Sequence, residues 1–116
     1  MVRKIALTMA AIGAALPALA IAQTGTSYQL VARGHFDAAI DRLEERRRDQ
    51  ISTPEATLNL ATAYAQTGNR AKAIALYAEV LAQPSVDLDL VTGDTASSHQ
   101  IAQRGLTLLG RTLATR

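Results

Sequence analysis

The sequence predicts an all-α chain: two helical-hairpin repeats, one full and one truncated, then a short extended or β insertion and a C-terminal capping helix. Three observations predict it. "GHFDAAIDRL" (Gly34 to Leu43) is echoed by "GNRAKAIALY" (Gly68 to Tyr77), with Gly34, Ala39 and Ile40 recurring at one constant step as Gly68, Ala73 and Ile74. A fixed period of that length is the mark of a helical repeat array. Helix punctuation frames the second copy, and a stretch of period-two alternation follows it.

The segment from Met1 to Ala22 is set aside. Arg3 and Lys4 precede an uncharged run from Ile5 to Ala22, "IALTMAAIGAALPALAIA", which ends in Ala20-Ile21-Ala22. Positive charge, apolar run and small residues in that order are the pattern of a secretory signal peptide. Pro17 ends the apolar helix just before the cleavage region. Cleavage after Ala22 or after Ala20 stays open. The rival reading is an inner-membrane anchor formed by residues 5–22, which have the length to span. With no cysteine in the chain, a lipoprotein anchor, disulfides and thiol chemistry are excluded.

Without that segment, Gln23 to Arg116 remain, enough for one small domain at 23–116. The whole chain has 12 basic and 10 acidic residues, and two of the basic ones leave with the segment. The remainder is near neutral, so the chain's basic pI of 9.4 points to no nucleic-acid partner. After signal cleavage no membrane partner is expected either.

The truncated repeat covers about 27–50. Leu30, Gly34, Phe36, Ala39, Ile40 and Leu43 carry its pattern, but its first helix has only about two turns. Arg46 stands where a small or apolar residue is expected. In "DAAIDRLEERRRDQ", Arg46, Arg47 and Arg48 could hold a phosphate or an acidic partner; Glu44, three and four positions before Arg47 and Arg48, favours a solvated, self-paired face.

The full repeat, 54–84, opens with Thr53 as N-cap, Pro54 at the first helical position and Glu55 in the first turn. Leu60 and Tyr64 share a face, and Gly68 ends the helix in the left-handed conformation that glycine adopts readily. Ala73, Ile74, Tyr77, Val80 and Leu81 mark the second helix, with Ile74 expected on the buried side, and Pro84 closes it. Leu60, Ala61, Tyr64, Gly68, Ala73, Tyr77 and Val80 resemble the tetratricopeptide repeat (TPR) pattern, strongly over Pro54 to Pro84 and partially over Ser27 to Gln50. The resemblance implies a shallow groove lined by the first helix of each pair. Its candidate partner-binding residues are Leu58, Asn59, Thr62, Ala65 and Gln66.

Val86, Leu88 and Leu90 alternate with Asp87 and Asp89, which predicts an extended insertion over 86–96 with a turn at Thr92-Gly93-Asp94. Asp87, Asp89 and Asp94 do not have EF-hand spacing, because Thr92 and Ser98 occupy the places of its glycine and its glutamate. Ser97 and Gln100 form a capping-box pattern ahead of a helix over 98–113, in which Gly105 and Gly110 are expected to permit close contact with another helix. His35 and His99 have no partner at metal spacing, and no phosphate loop or nucleophile–base pair stands out. No metal, cofactor or catalytic residue is assigned, and the chain is read as no enzyme. The reading is an exported protein–protein interaction module, adaptor or scaffold, of the periplasm or cell envelope, whose partner is another protein or peptide. The alternative is a self-assembling homo-oligomer using the truncated first-repeat edge.

Overall fold

A computed structural model describes residues 26–90 and 92–114. The segment 1–22, read as a signal peptide, lies outside the described residues. Five helices and one small hairpin follow in order: α1 (Thr26–Ala32), α2 (Phe36–Arg48), α3 (Pro54–Gln66), α4 (Arg70–Leu81), β1 (Asp87–Asp89), β2 (Thr95–Ser97) and α5 (Ser98–Ala114). The fold is therefore helical, with a two-stranded antiparallel sheet in which Leu88 pairs with Ala96.

Helix ends repeat with the same chemistry three times. After α1, His35 N–H donates to the Leu30 carbonyl at 2.8 Å and Gly34 N–H to Val31 at 3.1 Å. After α3, Asn69 N–H reaches Tyr64 at 2.9 Å and Gly68 N–H reaches Ala65 at 3.2 Å. These are Schellman closures, which need a left-handed residue just past the helix; Gly34 (φ +82°) and Gly68 (φ +87°) supply it. After α2 the same pair of bonds forms, Ile51 to Arg46 at 2.8 Å and Gln50 to Arg47 at 2.9 Å. There the left-handed residue is Gln50, at φ 62°. A side chain in that conformation is strained by about 1 kcal/mol. Replacing Gln50 with Gly is expected to raise stability by up to about 1 kcal/mol, and Gly68→Ala to lower it by a similar amount. Chemical denaturation checks both; a stabilised Gly68→Ala would contradict the left-handed closure.

At their starts the helices use side-chain caps. Thr53 Oγ1 accepts from Ala56 N–H at 3.1 Å, with Pro54 behind it, and Asn69 caps α4 through Lys72 N–H at 3.4 Å. Ser97 and Gln100 close a reciprocal capping box, 2.9 Å one way and 3.0 Å the other, at the start of α5. Ser98, fully buried, accepts from Val86 N–H at 3.0 Å while its own N–H donates to the Val86 carbonyl at 2.7 Å. The His99 ring meets the Gln83 carbonyl at 2.7 Å. These bonds fasten the hairpin and the end of α4 to the first turn of α5.

The core runs along α3, where every residue from Thr57 to Tyr64 is buried. Helices α1, α2, α4 and α5 all touch it. Alanines at Ala39, Ala61, Ala63, Ala73 and Ala102 are fully buried, which lets backbones approach closely around Leu58, Leu60 and Tyr77. Two expectations are corrected. Ile74 is 40% exposed; Ala73, Leu76, Tyr77 and Val80 form the inner face of α4 instead. A Cβ on Gly110 would meet nothing within 4 Å, so only Gly105 sits against another helix. There a Cβ would lie 2.3 Å from Cζ of Tyr77.

Candidate functional site

The five groove residues of α3 divide. Leu58 is fully buried, and Asn59 and Thr62 are each 4% exposed. Ala65 and Gln66, at the helix's C-terminal end, are half-buried. The groove expected along all five is thus corrected for three of them: Leu58, Asn59 and Thr62 lie inside the protein, because α1, α2, α4 and α5 all pack on α3. Thr62 tolerates burial because its hydroxyl donates to the Leu58 carbonyl at 3.0 Å, the bond a buried threonine makes within its own helix. Its Oγ1 also lies 3.4 Å from the Tyr77 hydroxyl. Asn59 Oδ1 and the Tyr28 hydroxyl are buried with no hydrogen-bond partner among the described residues. An unmet buried polar atom costs about 1–3 kcal/mol, so both mark places where the core is not at its optimum.

Helices α2, α3 and α4 also share a polar cluster. Arg47 forms a forked pair with Glu79 across 32 residues of sequence, 3.2 Å on both arms. Its Nε lies 3.9 Å from Glu44, so the local pairing expected from spacing exists but is the longer contact. Glu44 instead accepts from the Tyr64 hydroxyl at 2.5 Å, and the Lys72 ammonium sits 5.1 Å from the centre of the Tyr64 ring. The hydrogen bonds to Glu79 raise the Arg47 pKa further. With Arg47 and Glu79 each about a third open to solvent, screening keeps the pair's worth within about 1 kcal/mol. Arg46 and Arg48 are exposed. The cluster was missed because its contacts are long-range; the one local sign was a tyrosine hydroxyl one turn after Leu60 with no partner on its own helix.

Burial pushes the Tyr28 hydroxyl up to about 12, and burial, then the bond to Glu44, pushes Tyr64 to about 12. Tyr77 is raised by burial, against a smaller opposing bond from Thr62. An unfolded tyrosine loses its proton near 10. Below that pH both states keep the proton and stability is unaffected. Between about 10 and 12 the unfolded chain releases protons that the folded chain retains, so stability falls as pH rises. With three tyrosines and no tryptophan, phenolate absorbance reads them directly. The expected titration is steep, above pH 10, and coincident with loss of helical circular dichroism. Phenolate appearing at its ordinary pH with the helices intact would contradict it.

Among the described residues no group of three or more His, Cys, Asp or Glu side chains is placed to hold a metal ion, and no helix is long and apolar enough to cross a membrane. Comparison of the chain with protein-family models, with curated proteins and with solved structures finds no match.

Proposed function

We propose that the chain is an exported, TPR-like interaction module that holds another protein or peptide in the periplasm or cell envelope. One observation carries the reading: the sequence period that separates Gly34 from Gly68 coincides with a period in helix geometry. Both glycines take left-handed backbone in identical closures, and Ala39 and Ala73, one period apart, are both fully buried where the helix pairs cross. An array of this kind presents a continuous surface built from first helices. The groove accessible to a partner here is the C-terminal end of that face, Ala65 and Gln66, with Leu58, Asn59 and Thr62 supporting it from inside. Export rests on the charged, apolar and small-residue order of residues 1–22.

The test is cross-linked recovery of a C-terminally tagged copy from its native envelope, repeated with Gln66→Arg. A near-stoichiometric foreign protein that Gln66→Arg releases would support the reading. Recovery of no partner, or of one indifferent to Gln66, would sink the groove. The alternative, self-assembly through the first-repeat edge, has less to build on, because Tyr28, Val31 and Ala32 of α1 are already buried.

A further inference from the structure

Helix α4 is apolar on two sides. Its inner face packs on the core, yet Ala71, Ile74, Ala75, Ala78 and Ala82 are exposed and Leu81 is half-buried. At about 100° per residue these six fall within one arc of about 120°. The positions one repeat earlier on α2 are Asp37, Ile40, Asp41, Glu44, Arg47 and Arg48, all charged except Ile40. This face is therefore charged on the first unit, with Glu44 and Arg47 half-buried in the cluster shared with α3 and α4, and apolar and exposed on the second. A contiguous exposed apolar face is ordinarily a contact surface.

We infer that this face docks against the same face of a second copy, antiparallel, about a two-fold axis. The spacing of the alanines is self-complementary. Ala71, Ala75, Ala78 and Ala82 step by four, three and four, the pattern of a coiled-coil seam. Turned end over end, Ala75 of one copy meets Ala78 of the other and Ala71 meets Ala82, all in one register. Charge selects that orientation. Lys72 and Glu79 lie on one flank of the seam, two turns apart, with Ile74 and Leu81 on the opposite flank. An antiparallel two-fold brings like flanks together, so Lys72 of each copy faces Glu79 of the other. A parallel pair would set those charges against Ile74 and Leu81. Glu79 is already held in place by Arg47, so the acceptor is preorganised. The face spans a single helix, smaller than stable dimers use, so the association is weak and concentration-dependent.

The absence of cysteine makes the register readable. The purified protein is made as two single variants, Ala75→Cys and Ala78→Cys, mixed at high concentration and oxidised gently. Mixed disulfides are expected to exceed either self-pair several-fold, and sedimentation equilibrium of the unaltered protein to climb from one chain to two. Ala78→Glu, at an exposed helical position, is expected to keep its circular dichroism and return the mass to one chain. Dominant self-pairs would overturn the antiparallel register. A mass of one chain up to about 1 mM, with cross-linking no faster than in Ala38→Cys on the exposed face of α2, would overturn the interface itself.

Discussion

Gly105→Ala is expected to be among the most damaging single-methyl additions to this protein, and Gly110→Ala, further along the same helix, to stabilise it. Both replace a helical glycine with the best helix former, which favours alanine by about 1 kcal/mol. The surroundings decide the sign. A Cβ at Gly105 would stand 2.3 Å from Cζ of Tyr77 and 2.7 Å from both neighbouring ring carbons. The ring has no room to retreat: Tyr77 is fully buried, with its hydroxyl against Thr62 of α3. Overpacking costs about 1–3 kcal/mol, and contacts this short with a buried ring put it at the upper end; set against the propensity gain of about 1 kcal/mol, that leaves a net loss of about 2 kcal/mol. Gly110 is exposed with nothing within 4 Å of the added carbon, so the full gain of about 1 kcal/mol is kept. Urea denaturation of the two variants measures both. A double variant carrying Gly105→Ala and Tyr77→Leu should recover part of the loss, since the smaller side chain vacates the contact. A neutral Gly105→Ala would mean that α4 and α5 are not in van der Waals contact at Tyr77.

That pair of glycines also shows where sequence reasoning stops. Local signals were legible: Thr53 before Pro54, Ser97 three before Gln100, and Gly34 and Gly68 past helix ends each act through atoms close by in the chain. Gln50 was not legible, because nothing in a glutamine announces left-handed backbone; the Schellman closure after α2 imposes it. The repeat step correctly paired Ala39 with Ala73, whose burial is set by helix crossing. It also paired Ile40 with Ile74 and so placed Ile74 inside, yet α4 carries apolar residues on both faces and periodicity alone cannot rank them. The polar cluster was invisible for a different reason. Glu44, Arg47, Tyr64 and Glu79 meet only once three helices are stacked, and a single sequence does not record such distances. The depth of the groove residues was hidden for the same reason: how deeply Asn59 and Thr62 sit depends on the helices beside α3.

Leu58→Ala separates a groove wall from a core residue. If Leu58 lined an open groove, truncating it would weaken partner binding and leave the fold alone. It is fully buried, so the removed methyl groups leave a cavity. Leucine-to-alanine changes at such sites cost about 2–5 kcal/mol. Set against the roughly 5–15 kcal/mol that holds a domain folded, this is a large fraction. For a chain of this size each kcal/mol lowers the melting temperature by about 4–8 °C, so a fall of at least about 8 °C is expected. Leu60→Ala, at an equally buried position, should fall by a comparable amount. Gln66→Ala, half-buried at the helix end, should stay within about 0.5 kcal/mol of the parent and affect only what the face holds. Thermal melts of the three variants therefore divide α3 into the part that builds the protein and the part left open for the proposed groove. A Leu58→Ala chain that melts with the parent would put that side chain against solvent and move the boundary of the proposed groove two turns toward the start of the helix.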